Sequence, residues 1–182
     1  MTQPKIKVAV AGTGFIGPVH IESLRRVGTL DVTTMFHPFE NEAADKAASM
    51  GVAKYYTDYN TMIREGDFQA VHICTPNNLH YPMAKAALLA GKHVICEKPL
   101  ATAVKEAEEL VQLAAEKKLV NAVSFNLRYY PLVRQMKRIR EKGELGNVYS
   151  VMGSYLQDWL FYATDYNWRL EPDKSGDSKA IA

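Results

Sequence analysis

A chain of 182 residues with 47% hydrophobic and 23% charged side chains has an ordinary globular composition, long enough for one full domain and part of a second. Its net charge of +2, from 22 basic and 20 acidic residues, is too balanced for nucleic acid or an anionic membrane as the main partner. No apolar run approaches the roughly 20 residues that span a bilayer, and Met1 to Lys5 leads into a strand without a signal-peptide pattern; Cys74 and Cys96, as buried free thiols, are consistent with a reducing, cytoplasmic setting.

The apolar run Ile6 to Ala11 predicts a buried parallel strand over about 5–11. It ends in Gly12-Thr13-Gly14-Phe15-Ile16-Gly17, and a helical pattern follows to about Val27. Gly12 permits a tight turn, Gly14 lets backbone approach a pyrophosphate, and Gly17 lets the helix pack close to the strand. The helix then aims its free N–H groups and positive dipole end at the phosphates. Glycine-rich turns also occur without a ligand, and here the flanking strand and helix favour a dinucleotide.

Further strands are predicted at Asp31 to Phe36, about 53–56, Ala70 to Thr75, His93 to Cys96 and Leu119 to Phe125. Helices are predicted at Glu40 to Met50, Asp58 to Arg64, Leu79 to Ala90, and from a Thr102 cap to about Lys118. In the last of these, Val104, Ala107, Val111 and Ala114 form the expected apolar face. This alternation predicts an α/β fold, a parallel sheet with helices on both faces. The pattern changes near 125, so the expected domains are 1–124 and 125–182. In the second, Pro131 to Lys142 reads as an amphipathic helix, and Asn147 to Leu156 alternates like a strand of a different sheet. The basic side of that helix reads as a solvated face.

In an open parallel sheet, ligands bind beyond the C-terminal strand ends. Three segments fall there: the glycine loop, Thr75-Pro76-Asn77-Asn78-Leu79-His80, and Glu97-Lys98-Pro99. Lys98 is the candidate acid/base. A partly desolvated lysine beside a cationic cofactor has its pKa lowered, and it can then carry the proton that accompanies hydride transfer. The plainer reading is a lysine–glutamate surface pair at a turn. Asn77 and Asn78 read equally as cap or loop residues, His80 as a polar helix end, and the aromatic segment Trp159, Tyr162, Tyr166, Trp168 as pocket or core. Cys74 and Cys96 read as buried free thiols, and neither has partners at metal-ligand spacing, so no metal is expected.

These motifs occur in this order together with Asn126-x-Arg128-Tyr129-x-Pro131 and Asn167-Trp168-Arg169. Jointly they closely resemble the Gfo/Idh/MocA oxidoreductases, over the whole chain. The resemblance implies a Rossmann-type, doubly wound NAD(P)-binding domain followed by the start of a truncated α+β domain. It implies hydride transfer between NAD(P) and a secondary alcohol or carbonyl carbon of a sugar, cyclic polyol or derivative. It assigns Gly12, Gly14, Phe15, Ile16, Gly17, Thr75, Pro76, Asn77, His80, Glu97, Lys98, Trp168 and Arg169 to the cofactor. It assigns Lys98 to catalysis, and Asn126, Arg128 and Lys98 to the substrate. The Lys98–Pro99 peptide is expected to be cis. In place of the usual acidic residue at the end of strand two stands His37, with Glu40 a weaker substitute, so the nucleotide is NAD or NADP with a slight lean to NAD. A G-x-H-x-x-D type motif is expected to begin where the chain stops at Ala182. The chain is therefore expected to be a truncated form with impaired activity and an exposed partial sheet edge, and the full-length form a homo-oligomer. The alternative is a non-catalytic dinucleotide sensor. A methyltransferase explains neither the lysine–proline turn nor the tryptophan–arginine pair.

Overall fold

Side chains alternate across a strand, so β1 (Ile6–Ala11) sends Val8 and Val10 to one face and Ala9 and Ala11 to the other. Both faces are covered in the computed structural model, which describes residues 4–176. β2 (Leu30–Phe36), β3 (Lys54–Tyr56), β4 (Ala70–Ile73), β5 (His93–Cys96) and β6 (Asn121–Val123) complete a sheet in the order β3-β2-β1-β4-β5-β6, every pair parallel. α1 (Ile16–Val27) and α2 (Glu40–Ser49) bury Ile21, Leu24 and Ala47 against Val8, Val10 and Met35. α3 (Tyr59–Glu65), α4 (His80–Leu89) and α5 (Val104–Glu116) bury Met62, Ile63, Leu88 and Leu110 against the other face. This is the parallel sheet with helices on both faces that the alternation predicts, doubly wound as the resemblance implies. The strand order reverses direction between β1 and β4, so the crossovers leave to opposite faces and a crevice opens at the C-terminal strand ends.

Gly28, Gly51 and Gly91 follow α1, α2 and α4 in the left-handed region. Several expectations need correction. Thr102 does not cap α5; Ala103 precedes the helix without a side-chain cap, and Thr102 lies against Gly176 instead. The buried face of α5 is Leu110 and Ala114 with Leu113 alongside, while Val104 and Val111 are exposed. Three- and four-residue spacing fits both stripes, and contact with the sheet selects the one containing leucine. α4 starts at His80, after a tight turn over Asn77–Leu79.

Beyond β6 the chain forms α6 (Pro131–Glu141) with Pro131 in its first turn, as expected. Its apolar residues Leu132 and Met136 are exposed. No strand forms over 147–156. A strand needs a hydrogen-bonded neighbour, and among the described residues no strand lies beside this segment, whose Tyr149, Val151 and Met152 are exposed. The second sheet and its open edge are thus absent among the described residues. The aromatic segment is not core: Trp159, Tyr162 and Tyr166 stand exposed and Trp168 is half-buried. The polar stretch after Leu170 contains α7 (Pro172–Ser175), and residues 177–182 lie outside the described residues.

Candidate active site

Ala11 stands in register with Phe36 and with Ile73, and Ile73 with Cys96. Gly12, His37, Cys74 and Glu97 therefore leave four parallel strands side by side. The three sequence-predicted turns meet at one edge of the sheet.

The glycine loop has the shape of a pyrophosphate cradle. Gly12 has φ +96°, and a Cβ there would lie 2.7 Å from the Cys74 carbonyl carbon. A Cβ on Gly17 would lie 2.1 Å from the Gly12 oxygen, so α1 approaches β1 closely. At Gly14 an added Cβ meets nothing within 4 Å: the backbone there borders open space. The first turn of α1 has neither a side-chain cap nor an acidic residue. Its free amides and positive dipole end suit an anion. Phe15 is exposed at the rim, and Ile16 packs against the core. These residues fit a dinucleotide.

His37 is buried, and its Nδ1 is 2.7 Å from the Thr13 hydroxyl. Its Nε2 lies 3.3 Å from a Glu42 carboxylate oxygen without hydrogen-bond alignment. The carboxylate near the β2 end thus comes from Glu42 on α2, which the sequence reading missed. Glu40 instead accepts a hydrogen bond from Thr57 at 2.8 Å.

The two remaining turns are tied together by His80. Its Nδ1 is 2.6 Å from the Pro99 carbonyl and its Nε2 2.8 Å from the Thr75 carbonyl. Only 1% of this residue is exposed, so it staples the turns from inside. Both ring nitrogens face carbonyl acceptors. Asn77 is buried and donates to the Ser175 carbonyl at 3.1 Å, which draws the α7 segment over Pro76 and Asn77. The Thr75 hydroxyl lies 3.4 Å from the Met83 sulfur.

Glu97, Lys98 and Pro99 follow β5, and the Lys98–Pro99 peptide is cis. Burial pushes the Glu97 carboxyl up, but hydrogen bonds from His20, Ser124 and the Lys98 amide outweigh it and leave the group below its usual value. Burial, reinforced by the charge of Arg169, holds Lys98 below the ordinary lysine value, and Glu97 offsets part of this. The plainer reading of a lysine–glutamate surface pair does not hold: among the described residues Glu97 pairs with His20, at 2.9 Å. Arg169 stacks over the Trp168 ring at 4.5 Å, with Trp159 at 5.9 Å, and Asn167 caps this turn. Asn126 and Arg128 lie in the exposed turn after β6, and no hydrogen bond or ion pair among the described residues ties them to Lys98. Cys74 and Cys96 are buried free thiols whose burial pushes them up, so they stay protonated. His20 and His72 were missed by the sequence reading. A histidine inside the run Ala70-Val71-His72-Ile73 is the signal, since a buried polar ring needs a partner.

The oxidoreductase family with an NAD-binding Rossmann fold, Gfo/Idh/MocA, matches residues 6–125. The levoglucosan dehydrogenase of Pseudarthrobacter phenanthrenivorans is 34% identical over 183 residues, covering 94% of this chain and 46% of that protein. The scyllo-inositol 2-dehydrogenase (NADP(+)) of Bacillus subtilis is 30% identical over 171 residues, covering 94% of this chain and 49% of that protein. A solved levoglucosan dehydrogenase in complex with NADH and levoglucosan has a TM-score of 0.88 at 31% identity, covering 94% of this chain and 49% of that one. The chain spans about half the length of the curated relatives it matches. No helix among the described residues is long and apolar enough to cross a membrane. A glycine cradle at the switch point of a doubly wound sheet, matched across residues 6–125, means that this chain belongs to the Gfo/Idh/MocA oxidoreductase family and carries its NAD-binding Rossmann fold.

Proposed function

We propose that the whole protein is an NAD(P)-dependent dehydrogenase acting on a secondary alcohol carbon of a sugar, cyclic polyol or derivative, and that this chain supplies its nucleotide half. The observation that carries the reading is Lys98. It follows a core strand in the edge that also holds the glycine loop, and its pKa is drawn down by burial and by Arg169. The names of the relatives support the substrate class, as levoglucosan and scyllo-inositol are polyhydroxylated rings.

In this reading Gly12, Gly14 and Gly17 admit the pyrophosphate, with Phe15 and Ile16 opening the helix beside it. His37 and Glu42 flank the adenosine ribose. The Glu42 carboxylate suits ribose hydroxyls and repels a 2′-phosphate, which favours NAD. Thr75, Pro76 and Asn77 border the nicotinamide side, with His80 and Glu97 holding the turns and Trp168 and Arg169 closing over them. Nicotinamide, when bound, supplies the hydride acceptor or donor. Neutral Lys98 accepts the hydroxyl proton as an alcohol is oxidised, and its ammonium returns that proton to the oxygen on reduction. Asn126 and Arg128, in the turn after the neighbouring strand, orient the substrate. Residues 125–182 open the second domain. Two buried free thiols suit a reducing compartment, and self-association of the whole protein is checked by light scattering.

The test has two arms. Titration of this chain with NADH and NADPH is expected to show binding, tighter for NADH. In the whole protein Lys98→Met is expected to abolish turnover of sugars and polyols and to leave dinucleotide binding intact. Retained turnover removes Lys98 from the chemistry. Dinucleotide binding without oxidation of any such substrate favours a sensor module.

A further inference from the structure

Glu97 and Lys98 are adjacent, yet their charges do not pair. His20 Nε2 lies 2.9 Å from Glu97 Oε1, and His20 Nδ1 lies 2.9 Å from His72 Nδ1, with the rings edge-on at 5.1 Å. The other carboxylate oxygen accepts the Lys98 amide at 3.2 Å, and Ser124, after β6, also helps hold the carboxyl below its usual value. The side chains of His20 and Glu97 are only 11% and 13% exposed. Among the described residues no carboxylate lies within ion-pair distance of the Lys98 ammonium.

Chemistry sets the direction of this chain of contacts. A carboxylate only accepts, so His20 Nε2 carries a hydrogen. Burial, with the charge of His20 adding and Glu97 opposing, holds His72 down to about 4, so it is neutral near pH 7. With that hydrogen on His20 Nε2, its Nδ1 faces His72 Nδ1, which backs the ring while Glu97 keeps its donor. The pair spans from α1, the helix after the glycine loop, through β4 to the Lys98 turn.

We propose that His20, backed by His72, is a positioning residue that draws the Glu97 carboxylate inward and keeps it off the Lys98 ammonium. The catalytic value of this arrangement rests on the proton-transfer role given to Lys98 above. The groups facing Glu97 and Lys98 are His20 from α1, His72 from β4, Ser124 after β6, Arg169, and the Cys74 and Cys96 thiols, which stay protonated. With the carboxylate held by His20, burial and Arg169 outweigh the part of their effect that Glu97 offsets.

The experiment is an NMR titration of Lys98 in the 182-residue chain, isotope-labelled at lysine Cε and assigned by the signal lost in Lys98→Met. His20→Leu frees Glu97 to reach the ammonium and raises the Lys98 midpoint by about one pH unit, the low end for an opposite charge at close range. His20→Gln, whose amide donates from near the place of Nε2, keeps the wild-type midpoint. Glu97→Gln lowers it, and adding His20→Leu to Glu97→Gln changes it no further. An unchanged midpoint in folded His20→Leu overturns the proposal, as does an equal rise in the Glu97→Gln background. Proton–nitrogen correlation spectra of the wild-type rings supply a check that needs no variant: His20 must carry a hydrogen on Nε2, and a bare Nε2 overturns the proposal. Turnover of Lys98→Met in the whole protein reads the catalytic role separately, so either idea fails without the other.

Discussion

Gly14 and Gly17 lie three residues apart in one loop, and the structure assigns them opposite consequences on substitution. At Gly17 an alanine Cβ lands 2.1 Å from the Gly12 carbonyl oxygen and 3.1 Å from its carbon. Both are backbone atoms, so relief requires α1 to move off β1 by about 1 Å. Overpacking of this kind costs about 3 kcal/mol, the upper end of the usual range, against a stability on the order of 5–15 kcal/mol. In a domain of this size that lowers the thermal midpoint by roughly 6–12 °C. Gly14→Ala adds a methyl group with nothing within 4 Å, outside the left-handed region. Its stability is expected to stay level or rise by about 0.4–1 kcal/mol, because alanine restricts the unfolded chain. In the proposed role of the loop, the same methyl takes space that a pyrophosphate would use against the backbone. NADH affinity is expected to fall at least tenfold, about 1.4 kcal/mol. Thermal unfolding and nicotinamide fluorescence titration on the two variants read the two quantities separately. Unchanged NADH affinity in a stable Gly14→Ala variant refutes the assignment of the loop to the pyrophosphate.

Removal of the His80 staple leaves the half-buried Thr75 and Pro99 carbonyls without their donor, so His80→Ala is expected to lose about 1–3 kcal/mol in all in urea unfolding. A loss under 1 kcal/mol shows that water replaces the ring. Tyr59→Phe removes a buried hydroxyl that donates to the Met83 carbonyl at 3.0 Å and is expected to cost about 1 kcal/mol, whereas Leu88→Ala in the core is expected to cost about 2–5 kcal/mol. His72 binds its proton more weakly folded than unfolded, so the unfolded chain takes up more protons between pH 6.5 and about 4. Stability contributed by this group is full above pH 6.5 and is lost as the pH falls through 4, a slope that His72→Gln is expected to flatten. A wild-type midpoint in urea that is level from pH 6.5 to pH 4 contradicts the burial of His72 as a neutral ring.

Much of the nucleotide half was legible because local rules and the tertiary answer agree. The run Ile6 to Ala11, the three glycines after it and the glycines that end α1, α2 and α4 each constrain their own backbone. Proline fixes the turn after Lys98, and largely apolar strands of four to seven residues alternating with helices leave a parallel sheet as the arrangement that buries them. The sequence by itself therefore determined the fold class, the cradle and the candidacy of Lys98. It did not determine which of two equivalent stripes of α5 faces the sheet, since spacing alone cannot choose between them. Nor could alternation from Asn147 to Leu156 make a strand where no neighbour offers a ladder. Pairings between distant residues were decided by tertiary structure alone. His20 meets Glu97 across 77 positions, Asn77 meets Ser175 across 98, and Glu42 comes beside His37 from another element. Each joins side chains that have no local reason to meet, and only the packing of α1, α2 and α7 against the strand ends brings their polar atoms within reach.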